Sequence, residues 1–195
     1  DTTSNTHAKN IEYFRTSVTT NEGYYIGRYE ARTIIERNTV KDELTTLTSR
    51  GSDYIYNYVT QLQAADLARN MYSSSNFTSD LMNSYAWDTA TLFLQECGGN
   101  EKYSMQSSVN TSLSTKGTND TTNYKGTQDV ECNVYDMASN LHEWTTETEY
   151  STLLGCGGVY RGGVYYDDYN MAFRMNTCEP SEYGDFIGFR PILYL

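Results

Sequence analysis

The order of hydrophobic patterns along the chain is the feature that most limits its fold. Apolar residues at three- and four-residue spacing recur in three stretches of the first half, which is the pattern of amphipathic helices. Residues 156–195 instead carry glycines and aromatics in short alternating segments with no helical period. Helices followed by strands are typical of an α+β fold rather than a wound α/β fold. We therefore predict a single α+β domain over residues 1–195, with irregular antiparallel sheets and a few helices.

The three helical stretches are residues 8–18, 60–72 and 85–97. Thr60 is a suitable N-cap for the second helix, and the glycine pair after residue 97 should end the third. Residues 24–30 follow a turn glycine and are rich in aromatic residues, which predicts a strand. The helical side chains expected to face the core are Ala8, Ile11, Phe14, Val18, Leu62, Ala65, Ala68, Tyr72, Tyr85, Trp87, Ala90, Leu94 and Cys97.

The connecting segments are polar. Residues 36–57 are mixed in composition and are predicted to be irregular, and residues 74–78 are predicted to form a turn. Residues 104–129 are dominated by Ser, Thr, Asn, Gly and Lys. A polar stretch of this length predicts a long surface loop or hairpin rather than a linker.

Acidic residues dominate the charge, with 25 Asp and Glu against 14 Lys and Arg and a net charge of −11. Such a surface repels phosphate backbones, so a nucleic-acid partner is not expected. No apolar run approaches the ~18 residues of a membrane span, so membrane insertion is not expected either. Tyrosine is frequent, at 19 residues against 6 phenylalanines. Its stiff ring with a polar tip favours recognition surfaces, although many of these tyrosines will belong to the core.

Cysteine and histidine limit the cofactor chemistry. The four cysteines are Cys97, Cys132, Cys156 and Cys178. They are widely spaced without a C-x-x-C pair, which is compatible either with free thiols or with one disulfide. The sequence contains only two histidines, His7 and His142, so a metal centre with three histidine ligands cannot be built.

Four motifs follow one another along the chain: GYYIGRYE at residues 23–30, VYDMASNLHEWT at 134–145, YRGG at 160–163 and GFR at 188–190. In this order and spacing they resemble the formylglycine-generating-enzyme (sulfatase-modifying factor) family over residues 18–195. The resemblance implies an elaborated C-type-lectin fold in which the second and third predicted helices are the family's two helices.

The same motifs have structural roles that follow from their chemistry. The adjacent glycines of the YRGG motif permit close backbone approach or positive φ. Arginine is suited to bidentate pairing with carboxylates or carbonyls inside a protein. Aromatic residues within the motifs are expected in the core, and His142 is interpreted as a packing residue. The residues in these roles are Arg161, Gly162, Gly163, Arg174, Arg190, Trp144 and Phe189.

The catalytic groups of the family's enzymes are missing. Formylglycine-generating enzymes carry a reactive cysteine pair between the last two motifs, but residues 157–177 contain no cysteine. Cys178 is single and adjoins Glu179, which opposes the low thiol pKa of a reactive cysteine. Related sulfoxide synthases hold iron through three histidines, which this chain lacks. We therefore predict no enzymatic activity, and we interpret the neighbouring Asp167 and Asp168 as a solvated pair rather than acid–base catalysts.

Some family members bind Ca²⁺ through the segment that corresponds to residues 136–143. Asp136 and Glu143 are hard oxygen ligands of the right type, so the resemblance implies a candidate structural calcium site there. Two carboxylates are fewer than most strong sites use, and Glu143 is alternatively a partner of a core arginine. Otherwise no cofactor is expected.

A second resemblance concerns the segment between the last two motifs. A chain that ends soon after GFR, preceded by a stretch rich in Tyr, Asp, Asn and Ser, resembles the variable proteins of diversity-generating retroelements. In that family the C-terminal lectin-type domain displays hypervariable residues, here expected over residues 160–190. The implied ligand-binding residues are Val164, Tyr165, Tyr166, Asp167, Asp168, Tyr169, Asn170, Met171, Phe173, Met175, Asn176, Thr177, Glu179, Ser181, Glu182, Tyr183, Asp185 and Phe186.

The resemblance implies a receptor-binding or adhesion domain on a phage tail or bacterial surface, with a protein or glycan ligand on another cell. Two other functions stay open. One is an enzyme of the family, acting on a small substrate or a thiol. The other is an accessory structural domain of a larger surface protein.

Overall fold

The structure is a computed structural model that describes residues 11–48, 50–72, 76–105, 130–151, 155–167, 169–176 and 179–195. Within these residues the helices are α1 (Ile11–Asn21), α2 (Gln61–Asn70) and α3 (Ser84–Gly98), with a short 3-10 helix at Tyr103–Met105. In the same residues the strands are β1 (Tyr25–Ile26), β2 (Arg32–Thr33), β3 (Tyr54–Ile55), β4 (Thr78–Leu81), β5 (Val130–Glu131), β6 (Val134–Tyr135), β7 (His142–Ser151), β8 (Gly155–Arg161), β9 (Arg174–Asn176), β10 (Ile187–Phe189) and β11 (Pro191–Tyr194). The predicted α+β class is confirmed.

The ends of α2 and α3 follow from local sequence signals. Thr60 caps α2 in a capping box, because its hydroxyl accepts from the Gln63 amide and the Gln63 side chain accepts from the Thr60 amide. Asn83 caps α3 by accepting from the Ala86 amide at 2.9 Å. Gly99 ends α3 in the left-handed conformation, at φ 70°. The predicted start of α2 and the predicted end of α3 are confirmed.

The two larger sheets meet through the C-terminal end of the chain. The larger has the order β10–β7–β8–β9, with β10 parallel to β7 and the other neighbours antiparallel. The smaller has the order β1–β11–β4 and is antiparallel. Only Arg190 separates β10 from β11, so the chain passes from one sheet to the other at this arginine. The antiparallel sheets are as predicted, and the parallel β7–β10 pair is an addition to the prediction.

Two apolar clusters form the core, and each contains a tryptophan. Trp87 of α3 lies at 0% exposure in the first and donates its indole N–H to the Met171 carbonyl at 3.0 Å. Trp144 of β7 is fully buried in the second and donates to the Val59 carbonyl at 2.9 Å. Phe189 lies in the same cluster. The predicted core positions of Trp144 and Phe189 are confirmed.

Several helical residues that were predicted to face the core lie at the surface instead. Leu62, Tyr72, Tyr85 and Cys97 are all exposed. Alanines form the buried face of α2 and bring the helix close to its neighbours, which leaves Leu62 at the rim, and Tyr72 follows the end of that helix. In α3 the bulky Trp87 fills the core, so the helix turns Tyr85 outward.

The strand predicted over residues 24–30 is shorter in the structure. Only Tyr25–Ile26 pairs with β11. The Gly27 amide still donates to the Pro191 carbonyl at 3.0 Å, but beyond it the chain leaves the sheet. This departure turns Glu30 and Arg32 into the core, where both are buried. The strand therefore ends where the chain turns inward to bring Glu30 and Arg32 together, 3.7 Å apart.

Several predictions concern residues outside the described part of the chain. They are Ala8, residues 74–75 of the predicted turn, and residues 106–129, which make up most of the predicted surface loop. The described residues among 36–57 are irregular except at β3 and at an isolated bridge of Thr48 with Arg32, largely as predicted. Among the described residues, no helix has both the length and the apolar character required to cross a membrane.

Candidate functional site

A buried ion pair joins both sheets beneath the candidate site. Arg190 lies between β10 and β11 and contacts the Glu143 carboxylate through Nε at 3.1 and 3.2 Å and through Nη2 at 2.6 Å. Two further N–H groups, on Nη1 and Nη2, donate to the carbonyls of Gly27 at 2.7 Å and Tyr135 at 2.8 Å. Both charged side chains are at most 1% exposed. The predicted role of Arg190 as a bidentate partner of a carboxylate is confirmed.

A second group of charges lies beside this pair. Glu30 accepts hydrogen bonds from the Asn140 amide group at 2.6 Å and the Leu141 backbone at 3.0 Å. Arg32 places Nη2 at 3.7 Å from both Glu30 and Asp136, and all three side chains are buried. Burial, and then the charge of Asp136, raise the pKa of Glu30 well above its usual range. We call Glu30, Arg32, Asp136, Glu143 and Arg190 the charge cluster.

The charge cluster bears on the candidate calcium site. Each of its proposed ligands faces an arginine, Asp136 with Arg32 and Glu143 with Arg190. A guanidinium therefore supplies the positive charge that a cation would bring, and this arrangement does not fit calcium ligation by these two carboxylates. In the part of the chain that the structure describes, no group of three or more His, Cys, Asp or Glu side chains is suited to hold a metal ion. The calcium site stays a prediction.

His142 forms the floor of the candidate site. It is 1% exposed and stacks on Tyr160 at 4.7 Å and on Phe173 at 5.3 Å between ring centroids. Its Nδ1 lies 2.9 Å from the Gly162 carbonyl, which can only accept, so Nδ1 carries the proton. Burial lowers the pKa of His142 to about 4. The predicted packing role of His142 is confirmed.

The YRGG turn holds this floor in place. Gly162 adopts φ 86°, a left-handed conformation that side chains disfavour. A side chain added at Gly163 would collide with the Ala138 carbonyl. Both expectations for this glycine pair, positive φ and close backbone approach, are therefore confirmed.

The depressed pKa of His142 predicts a pH-dependent stability. The imidazole gains a proton near pH 6.5 in the unfolded chain but only near pH 4 in the folded one, so the unfolded state binds more protons between these values. The contribution of the neutral His142 imidazole to folding stability is complete above pH 6.5 and is lost as the pH falls towards 4. A shift of this size corresponds to roughly 3 kcal/mol. We therefore expect the free energy of unfolding, measured with urea, to fall more steeply between pH 7 and pH 4.5 for the native chain than for His142→Phe.

The difference between the two proteins reports on the histidine alone, because their carboxylates are the same and make the same contribution to the pH dependence of stability. Phenylalanine keeps the aromatic stacking while removing the titrating group. Parallel pH profiles for the two proteins would mean that His142 is protonated equally in the folded and unfolded states.

The exposed part of the candidate site lies over this floor, and we call it the tyrosine surface: Tyr165, Tyr166, Tyr169 and Tyr183. Tyr166 and Tyr183 are each 49% exposed. Tyr166 meets Phe186 edge-on at 5.9 Å, and Tyr165 meets Tyr166 at 5.0 Å. Tyr169 packs on Phe173 at 4.0 Å. Aromatic neighbours therefore support the rings of Tyr165, Tyr166 and Tyr169, and Tyr166 and Tyr183 present contact area to solvent.

Carboxylates surround the tyrosine surface. Tyr165 donates its hydroxyl to Asp185 at 3.1 Å, and burial followed by that charge raises the pKa of Tyr165 to about 12. Burial raises the pKa of Glu182. Burial, and then the charges of Tyr169, Asp167, Asp185 and Glu182, raise the pKa of Tyr166. Asp167 is exposed. The electrostatic character of the surface is therefore negative.

The arginines near this surface are engaged elsewhere. Arg174 of β9 pairs with Glu147 and with Glu149 of β7, the latter at 2.6 Å. Arg161 contacts Asp88 of α3 at 2.6 Å. These ion pairs tie β9 to β7 and β8 to α3, so both arginines are engaged with acids outside residues 160–190.

Two of the residues predicted to bind ligand belong to the core. Val164 and Met171 are fully buried, so they cannot touch a ligand in this conformation. Val164 follows the glycine pair into the interior, and Met171 packs in the cluster of Trp87. The prediction is wrong for these two because a sequence window cannot separate inward from outward residues in an irregular loop.

The remaining predicted residues divide by exposure. The clearly exposed ones are Tyr166, Asp167, Met175, Glu179, Ser181 and Tyr183. The half-buried ones are Tyr165, Tyr169, Asn170, Phe173, Glu182, Asp185 and Phe186. Asp168, Thr177 and the side chain of Asn176 lie outside the described part of the chain.

Sequence reasoning missed how the site is supported. Tyr160 was considered only as part of a motif, yet its ring lies between His142 and Trp144, at 4.7 and 5.5 Å. Glu30 and Arg32 were not recognised as neighbours of Asp136. The position of Glu30 inside the first motif was the only available signal, because its partners are more than a hundred residues away.

The α+β fold, with the four motifs in their order along the chain, defines the class as a C-type-lectin-like domain of the sulfatase-modifying-factor type. Residues 60–194 match the model of the sulfatase-modifying factor enzyme 1-like domain, and the chain belongs to this family. No curated protein matches the sequence.

Two solved structures are similar. Treponema denticola variable protein 1 aligns with a TM-score of 0.52 and 15% identity over 87% of this chain and 84% of that protein. CarF aligns with a TM-score of 0.44 and 19% identity over 60% of this chain and 48% of CarF, so the match spans about half of CarF. The likeness to variable protein 1 lies in the fold. The two resemblances that the motifs indicated, to the sulfatase-modifying factor family and to the variable proteins, are both confirmed at this level.

Proposed function

We propose that this domain binds a macromolecular ligand through the tyrosine surface and has no catalytic activity. The observation that carries the proposal is the contrast within residues 160–190. Both ends of this segment are buried, at Val164 on one side and Ile187 on the other, whereas Tyr166 and Tyr183 between them are half exposed. A rigid frame that presents aromatic side chains is suited to recognition, because aromatic anchors lose little conformational entropy on binding.

The charge of the surface indicates the kind of partner. Asp167, Glu179, Glu182 and Asp185 lie within the same segment, while Arg174 is engaged with Glu147 and Glu149. A neutral or basic face on a protein or glycan would therefore be preferred, since like charges across an interface are repelled. Nucleic acid is disfavoured for the same reason.

Absence of catalysis is part of the proposal, although the family includes enzymes. The segment between the YRGG and GFR motifs offers one cysteine rather than a pair, and the chain has only two histidines. His142 is buried and hydrogen-bonded to Gly162, so it supports packing rather than proton transfer to a substrate.

The resemblance to variable proteins supports a further proposal, that residues 160–190 are diversified and displayed on a phage tail or bacterial surface. Val164 and Met171 would then be excluded from variation, because both are fully buried. A near-copy of the codons for this segment beside a reverse-transcriptase gene in the surrounding DNA would distinguish this role from that of an accessory structural domain.

Binding can be tested on a ligand selected from a panel of bacterial surface proteins and glycans. Among Tyr165→Ala, Tyr166→Ala, Tyr169→Ala and Tyr183→Ala, at least one should weaken affinity by about 2 kcal/mol, or about thirtyfold, because hot spots centre on aromatic anchors. Asp167→Ala should mainly change the salt dependence of the association rate. Calorimetry or biolayer interferometry at two salt concentrations measures both effects.

Matched controls are available on other faces of the domain. Tyr25 and Tyr85 are also strongly exposed, at 63% and 61%. Their alanine variants should leave the affinity unchanged. Intact affinity in all four tyrosine-surface variants, together with loss of binding on changing residues 104–129, would place the binding face elsewhere.

A further inference from the structure

Two cysteines that are far apart in sequence lie near each other in the fold, since the charge of Cys97 acts on the Cys132 thiol. Cys97 lies in the last turn of α3, and Cys132 lies in the turn between β5 and β6. The adjoining residues are in close contact, because a side chain added at Gly98 would collide with the carboxylate of Glu131. Both thiols are free and exposed.

The backbone at Cys132 provides a second, independent observation. Cys132 has φ 47° and Asn133 has φ 68°. Positive φ at both residues of a two-residue hairpin turn is the pattern of a type I′ turn, where Asn and Gly are favoured. Asn133 is suited to this conformation, whereas a cysteine there is strained. A residue held in a strained backbone conformation points to a role for its side chain.

We propose that Cys97 and Cys132 form a reversible disulfide that ties the end of α3 to the β5–β6 hairpin. The oxidant is a small-molecule disulfide. A thiolate of one cysteine attacks it, forming a mixed disulfide and releasing one small-molecule thiol. The second cysteine then attacks the protein sulfur of that mixed disulfide and releases the other thiol. The protein loses two protons and two electrons, which together are two hydrogen atoms, and these reduce the small-molecule disulfide to two thiols.

The bond would anchor the helix to the charge cluster. β6 ends at Tyr135, whose carbonyl accepts from Arg190, and Asp136 follows directly. The disulfide would also close the loop of residues 97–132, which restricts the unfolded chain and stabilises the fold. Burial, the charge of Glu131 and the nearby Cys97 raise the pKa of the Cys132 thiol. Exchange should therefore quicken as the pH rises towards 9.

The test uses the full chain incubated with oxidised glutathione and then with excess dithiothreitol. Oxidation should remove the mass of two hydrogen atoms, and alkylation followed by proteolysis should recover one peptide pair that links Cys97 to Cys132. The melting temperature should rise by roughly 5 °C or more and return on reduction. Cys97→Ser and Cys132→Ser should each abolish both the link and the rise.

A further variant tests the strain separately. Cys132→Asn places a residue suited to positive φ in the turn, so its melting temperature should exceed that of Cys132→Ser. Persistence of both thiols after equilibration would overturn the proposal, as would a product consisting only of glutathione adducts or disulfide-linked dimers. Peptide mapping of the wild-type chain gives this result even if a serine variant does not fold.

Discussion

Replacing Arg190 by methionine should lower the free energy of unfolding by about 3–5 kcal/mol, because it leaves the Glu143 carboxylate buried without its partner. Arg190 is fully buried, and it also donates to the carbonyls of Gly27 and Tyr135. Urea denaturation monitored by tryptophan fluorescence measures the change. The double variant Glu143→Gln with Arg190→Met should recover part of the loss, because no unpaired charge then remains in the core.

Arg174 is the matched control, because it also pairs with two glutamates but lies near the surface. Arg174→Met should cost no more than about 1 kcal/mol. Equal losses in the two variants would contradict the role assigned to the buried pair.

The calcium hypothesis makes a different prediction for the same glutamate. If Glu143 were a calcium ligand, added Ca²⁺ would raise the melting temperature of the native chain and not that of Glu143→Gln.

The second large effect is expected at Trp144. Trp144→Ala should lower the free energy of unfolding by about 3–5 kcal/mol. The substitution leaves a cavity in the core and removes the hydrogen-bond donor to the Val59 carbonyl. Phe189→Ala should cost a similar amount, since it lies in the same cluster. By contrast, changing Tyr166, Asp167 and Tyr183 together to serine should cost no more than about 0.5 kcal/mol for each residue.

Tyr169 is left out of that surface set because it packs on Phe173 and lies 5.3 Å from the ring of His142. Thermal and urea unfolding of both sets decides the outcome. A combined surface variant as unstable as Trp144→Ala would mean that the tyrosine surface is part of the core, and it would defeat the proposal of a tolerant binding face.

The sequence alone determined the features that depend on residues close together in the chain. The capping box at Thr60 and the left-handed Gly99 mark helix ends, because their hydrogen bonds and backbone angles involve only a few neighbouring residues. The four motifs determined the family, since their order and chemistry can be recognised without coordinates. The burial of Trp144 and Phe189 was also predictable, because a large aromatic residue inside such a motif has few other places to go.

Only the tertiary structure decided which residues of the candidate site face solvent and which charges meet. Val164 and Tyr166 are two positions apart, yet one is fully buried and the other half exposed. Glu30 meets Asn140, and Cys97 approaches Cys132, across long separations in sequence. Such contacts depend on how irregular loops pack against the two sheets. Local hydrophobic periodicity does not predict where those loops turn. Desolvation then selects the pairs of charges that can remain in the core.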